Sequence, residues 1–198
     1  MRTVTGLYDN YDDARTVVNA LEDAGISSDD ISLVRRGDDT DESYAGEGAA
    51  TGAGIGAVAG GTGGLLAGLG LLAIPGVGPV VAAGWLVATV AGAAAGALAG
   101  GAAGGIIGSL TSAGVDEDTA HVYAEGVRRG STLVSARVED DKLDLARSII
   151  NQNAPVDVDS RRAMYREEGW ERFDEGNPDL TEEELARERD RARNYRQL

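Results

Sequence analysis

The chain has 198 residues, with 18 basic against 33 acidic side chains, one histidine, no cysteine and 29 glycines. That length suits one or two small domains with a hydrophobic core. The net charge of −15 argues against nucleic acid as the main partner, because phosphate is repelled by such a surface. The lack of cysteine excludes a disulfide framework, a thiolate metal site and a cysteine nucleophile. Met1 to Asp9 carry no basic start followed by an apolar core, so no secretory leader is expected.

Residues 1–47 are mixed and acidic. Val4, Gly6 and Tyr8 alternate with Thr3, Thr5 and Leu7, which predicts a short strand. Asn10 can cap a helix whose first turn holds Asp12 and Asp13. Ala14, Val17, Val18, Leu21 and Ala24 recur at helical spacing, and Gly25 ends the helix. Ile31 to Val34 reads as a second strand, and residues 37–47 as a polar linker.

Residues 48–115 form a run of 68 positions without Asp, Glu, Lys, Arg or His, and hold 21 of the glycines. Gly48, Gly52, Gly56, Gly60, Gly64 and Gly68 fall four apart, as do Gly92, Gly96, Gly100, Gly104 and Gly108. Between the rows, Ile74-Pro75-Gly76-Val77-Gly78-Pro79 is a turn signal. The spacing predicts two antiparallel helices, 49–74 and 79–110, inside a Gly/Ala-rich hairpin over 48–112. Each glycine row would line one helix face and admit a second backbone closely, a glycine zipper. Eleven such glycines in water-exposed helices would cost on the order of 10 kcal/mol, so close helix contact or lipid must offset them. The apolar residues gather near the turn: Leu65, Leu66, Leu69, Leu72, Ile74, Val81, Trp85 and Leu86. This predicts an oily tip that dips into a membrane or packs at the centre of a homo-oligomer. A flexible linker is the plain alternative, but it would not hold the glycines in register.

After the run, Asp116 caps a predicted helix with Ala120, Tyr123, Ala124 and Val127 on one face. Arg128 and Arg129 suit its C-terminal dipole, and Gly130 stops it. Thr132 to Val138 reads as a strand. Leu143, Ala146, Ile149 and Ile150 mark a helix, and Val156 and Val158 a short last strand. The predicted fold is α+β: residues 1–36 with 114–160 form a ferredoxin-like βαβ(insertion)αβαβ sandwich, antiparallel, with helices on one face. Residues 161–198 read as a charged tail with an exposed or frayed helix over 181–196, opened by the capping box Thr181 and Glu184.

Chemistry-bearing motifs are few. Thr51-Gly52-Ala53-Gly54-Ile55-Gly56 lacks the preceding buried strand and following acid of a dinucleotide loop. Lys142 is the single lysine and lies far from any glycine-rich loop, which excludes a phosphate loop. His121 has no second histidine for a metal site and reads as a surface or half-buried helix residue. The carboxylate pairs Asp38-Asp39, Asp41-Glu42 and Asp140-Asp141 read as caps and solubilising turns. Trp170, with Phe173, is expected to dock the tail onto the sheet.

Several stretches resemble the bacterial general stress protein family, the heat-induced stress protein domain also found in low-temperature-induced proteins. They are Val4-Thr5-Gly6-Leu7-Tyr8, Ala14 to Ile26, Asp30-Ile31-Ser32-Leu33-Val34, the turn Ala73 to Pro79, Ala113-Gly114-Val115, Tyr123-Ala124-Glu125-Gly126-Val127-Arg128-Arg129-Gly130 and Leu133-Val134. The resemblance covers about residues 2–160. It implies a small α/β domain with a hairpin insertion and a stress-response role, and it supplies no catalytic residues.

The expected protein is thus a non-enzymatic stress-response protein. Its glycine-zipper hairpin associates with membrane lipid, with other copies of the chain, or with both. The α/β unit would lie in the cytoplasm at the inner membrane. The alternative is a soluble ligand-sensing or regulatory α/β module, cytoplasmic, that forms homo-oligomers through the hairpin. No catalytic residue, cofactor, metal or small-molecule substrate is expected, and no nucleic acid. An enzymatic reading would rest on His121 and scattered carboxylates alone.

Overall fold

The computed structural model describes residues 1–37, 70–74, 77–86, 88–89 and 105–195. Five strands form one sheet: β1 (Arg2–Tyr8), β2 (Ile31–Arg36), β3 (Gly70–Ile74), β4 (Gly78–Gly84) and β5 (Thr132–Val138). Their order is β1-β5-β2-β4-β3, and every neighbouring pair is antiparallel. Six α-helices accompany it among the described residues: α1 (Tyr11–Asp23), α2 (Ile106–Ser112), α3 (Glu117–Arg128), α4 (Leu143–Gln152), α5 (Val158–Arg166) and α6 (Glu182–Tyr195).

The sheet is apolar on both faces, and this decides the layers. Strand residues alternate sides, so Val134, Ala136 and Val138 of β5 face α1 and α4. There they pack with Val17, Val18, Leu21, Ala146 and Ile150. Leu133 of β5, Leu7 of β1 and Val34 of β2 face the other way, onto Ala120, Tyr123, Ala124 and Val127 of α3. The expectation of helices on one face is therefore corrected: α3 covers the face opposite α1 and α4. Close approach there needs Gly126, where an added Cβ would lie 2.5 Å from Leu7 Cδ2.

The expected helical hairpin is also corrected where the structure describes it. Residues 70–74 and 78–84 are strands, not helix ends. They are joined across the predicted turn, with Ile74 opposite Gly78 and Ala73 opposite Pro79. The physical reason lies in β2, whose Ile31 to Val34 are all buried. Its second edge needs a hydrogen-bonding partner, because unpaired buried backbone groups are costly. β4 supplies that partner from Arg36↔Val80 to Ser32↔Gly84. Gly84 is required at the end of this ladder: its φ is +89°, and a Cβ there would meet the Ile31 carbonyl oxygen at 1.9 Å. Val77, Val80, Val81, Trp85 and Leu86 are consequently buried in the body. The tip expected from Val81, Trp85 and Leu86 is core.

The last expected strand is not formed. Val156 keeps one ladder-like bond, its N–H donating to the Leu7 carbonyl at 2.7 Å beside β1. Asp157 then accepts the Ser160 N–H at 2.8 Å and caps α5, so Val158 opens a helix. Capping outweighs the Val156/Val158 alternation.

The C-terminal segment is docked rather than frayed. Leu185 and Ala192 of α6 are buried, as are Met164 and Tyr165 of α5. Thr181 and Glu184 form the expected capping box, with the Thr181 N–H donating to Glu184 at 2.8 Å. Phe173 docks as expected, buried in the cluster that holds Leu7, Val34 and Leu133 of the sheet, whereas Trp170 is not in that cluster. It meets the Tyr165 ring edge-on at 5.5 Å, in a cluster with Val122 on the outer side of α3.

Candidate functional site: an arginine-lined cleft

Five parts of the chain meet at one end of the sheet. The end of β1 and start of α1 bring Asp9, Asn10, Tyr11 and Asp13, and β2 ends there at Arg35 and Arg36. The turn from α3 to β5 brings Arg129, Gly130, Ser131 and Thr132. Helix α5 adds Arg161, Met164 and Tyr165, and α6 closes one side with Glu188, Arg189, Ala192 and Arg193. They enclose a cleft of about 500 Å³, within the range of small-molecule sites. Six lining side chains are arginines and three are acids (Asp9, Asp13 and Glu188). In a chain of net charge −15 this is a local reversal of sign.

Four of the arginines are held in place. Arg161 donates to Asp9 at 2.6 Å, and Ser131 donates to the other oxygen of that carboxylate at 2.9 Å. Asp9 follows the last residue of β1 and Ser131 precedes β5, so this bridge ties α5 to the sheet. Arg36 donates to the carbonyls of Val77 at 3.1 Å and Leu180 at 2.8 Å. Arg35 lies over the Tyr11 ring, 4.8 Å from its centre.

Arg129 is the most heavily bonded. Its Nε donates to Glu125 at 2.6 Å, and its Nη1 donates to Glu168 at 2.5 Å and Glu188 at 2.7 Å. Its guanidinium also stacks 4.4 Å from the Tyr165 ring centre. Burial works against its charge, but the bonds to Glu125 and Glu188 more than offset that, and its pKa is raised. Arg161 behaves likewise: burial opposes its charge, and Tyr165 and Asp9 overcome it. Glu125 is itself buried and pairs with Arg128 at 3.0 Å. The Tyr165 hydroxyl is buried without a well-formed hydrogen bond among the described residues. Burial pushes its pKa up to about 12, against the pull of Arg161. A wall of guanidinium groups of this kind is suited to holding an anion.

Of the residues singled out in sequence, Gly48, Gly52, Gly56, Gly60, Gly64, Gly68, Gly92, Gly96, Gly100 and Gly104 lie outside the described residues, as do Leu65, Leu66, Leu69, Pro75 and Gly76. Gly108 sits half-buried within α2. Leu72 and Ile74 lie in β3, and Gly78 and Pro79 in β4. His121 is buried on α3, its Nε2 2.8 Å from Arg172 Nη2, with Glu117 at 3.8 Å. Burial and the Arg172 charge lower its pKa, and the nearby Glu117 opposes them in part. No metal-binding cluster of His, Cys, Asp or Glu occurs among the described residues.

The cleft itself escaped sequence reasoning. In sequence Arg128 and Arg129 read as dipole partners of one helix, and the other arginines follow no local motif. A signal was present: the basic residues double up as Arg35-Arg36, Arg128-Arg129 and Arg161-Arg162, in a chain with one lysine. All three pairs send at least one member to the cleft.

The stretch from β1 to β3 resembles a known family. Residues 3–72 match the family model of the heat induced stress protein YflT domain. The match spans about a third of the chain. The YflT match agrees with the resemblance seen in Val4 to Tyr8, Ala14 to Ile26 and Asp30 to Val34, and it supports a role in stress response. It supplies β1, α1 and β2 and ends within β3, so of the cleft it includes the wall from Asp9 to Arg36. The turn at Arg129 and the helices α5 and α6 follow the YflT match in the chain. No curated protein and no solved structure was found to match. Among the described residues no helix is long and apolar enough to cross a membrane.

Proposed function

We propose that this protein is a non-enzymatic stress-response module that senses an anionic small molecule in the arginine-lined cleft and forms homo-oligomers through its Gly/Ala-rich segment. The observation that carries this reading is the gathering of six arginines around one cleft of an acidic chain, two of them, Arg129 and Arg161, fixed by Glu125, Glu188 and Asp9. Guanidinium groups suit phosphate and carboxylate geometry, and held in place they lose little freedom on binding. The cleft joins β1, β2, β5, α5 and α6, so a bound anion would bias the packing of several elements at once.

The test is thermal unfolding with increasing pyrophosphate, compared with sodium chloride at equal ionic strength. A ligand at a hundred times its Kd stabilises by about 2.7 kcal/mol. Pyrophosphate should raise the midpoint in a saturable way that chloride does not reproduce, and Arg161→Met should abolish the rise. A midpoint that follows ionic strength alone contradicts the reading.

A second reading, membrane association of the same segment at the inner membrane, is favoured by the 68 uncharged residues and the two glycine rows. Fractionation separates the two. A protein of fixed size in detergent-free supernatant supports the soluble oligomer, and recovery with lipid supports the membrane.

A further inference from the structure

Arg129 reaches the cleft with one edge of its guanidinium already occupied from α6. The Nε side is bound inward to Glu125, which is buried, while Nη1 serves Glu168 and Glu188. Glu188 is the one of these three carboxylates that lines the cleft. It sits where an incoming anion would meet Arg129, and on the same helix Arg189 and Arg193 also line the cleft.

The helix that carries Glu188 is lightly anchored. Only Leu185 and Ala192 of its fourteen residues are buried. Tyr195 packs half-buried against the Val122, Met164 and Tyr165 cluster, and the other attachments include the polar contacts of Glu188 to Arg129, Arg191 to Glu168 and to the Met164 carbonyl, and Tyr195 to Glu167. Such ion pairs weaken when a competing anion takes one partner.

On the reading that the cleft binds an anion, we propose that the ligand bears a phosphate group that replaces the Glu188 carboxylate on Arg129, so that binding loosens α6 from the body. The class follows from the competition. Glu188 is tethered and presents its carboxylate at high effective concentration. A single free carboxylate would not displace it, whereas a phosphate brings more charge and three acceptor oxygens to the guanidinium. Arg161 of α5 and Arg35 and Arg36 of β2, all on the body rather than on α6, line the same space for the remaining oxygens. The C-terminal helix then acts as the output of the cleft, docked when empty and released when loaded.

The test is amide hydrogen exchange across residues 182–195 with and without pyrophosphate, on wild type and Glu188→Gln. Affinity is measured by calorimetry, and the exposed Glu183→Gln serves as control. Pyrophosphate should speed exchange in α6 of the wild type. E188Q should bind about tenfold more tightly, since one charge-assisted competitor is gone, and should exchange faster in α6 before any ligand is added. E183Q should match the wild type. Citrate in place of pyrophosphate separates phosphate from carboxylate chemistry, and equal displacement by both overturns the phosphate assignment. Pyrophosphate binding with α6 equally or better protected, and with E188Q no tighter, overturns the proposal while leaving the anion site standing. Absence of binding to both wild type and E188Q overturns the anion site and the proposal with it.

Discussion

Replacing Glu125 by glutamine should destabilise the protein more than any other single change on the outer side of α3. Its side chain is 1% exposed and accepts from Arg128 at 3.0 Å and Arg129 at 2.6 Å. Removing one partner of a buried ion pair costs about 3–5 kcal/mol, because the charge left behind stays buried. Arg129 retains Glu168 and Glu188, but Arg128 retains only the Pro178 carbonyl among the described residues. The expected loss is therefore near the lower bound, about 3 kcal/mol. For a chain of this size that lowers the thermal midpoint by roughly 6–12 °C. Urea unfolding followed by tryptophan fluorescence measures it, since Trp170 packs on Tyr165 beside this network. A loss below about 1 kcal/mol would refute the argument, because it would mean that Glu125 behaves as a solvated surface acid.

Three further outcomes are expected. Gly84→Ala should cost more than about 3 kcal/mol in urea unfolding, since φ is +89° and a Cβ would lie 1.9 Å from the Ile31 carbonyl; a neutral substitution would mean that β4 does not pair with β2 as described. The lowered pKa of His121 makes the unfolded chain bind more protons in mildly acid solution. Its stabilising effect is present above the ordinary histidine value of about 6.5 and is lost as pH falls through the folded value. His121→Gln should flatten that part of the pH–stability curve, and an unchanged slope would contradict it. Replacing Gly56, Gly60, Gly96 and Gly100 together by leucine should block close packing of the glycine rows; assembly and partitioning identical to the parent would remove the zipper from the account.

The elements flanking the uncharged run were legible because their signals are local. Asn10 with Ala14, Val17, Val18 and Leu21 marks α1, and Asp116 with Ala120, Tyr123, Ala124 and Val127 marks α3, with cap and apolar face agreeing in each. What failed was decided by distant partners. The four-residue glycine spacing stops at Gly68 and resumes at Gly92. The gap between contains the β-branched Val77, Val80 and Val81, a strand composition that the turn signal alone did not expose. Whether those residues form helix or strand depends on the open edge of β2, which no local pattern states. Likewise the amphipathic stripe of α3 does not say which face of the sheet it covers. That follows from β5 carrying Leu133 to one side and Val134 to the other. The cleft was hidden for the same reason. Arg35, Arg129, Arg161 and Arg189 come from four separate elements and become neighbours only when the sheet and both C-terminal helices are assembled.

The most direct measurement is a nuclear magnetic resonance titration of the labelled full chain with pyrophosphate, read at backbone amides. The account predicts saturable shifts at Asn10, Tyr11, Gly130, Ser131 and Thr132, where β1, α1 and β5 meet the arginines. Shifts scattered over the surface in proportion to ionic strength, or none at these five residues, would contradict it.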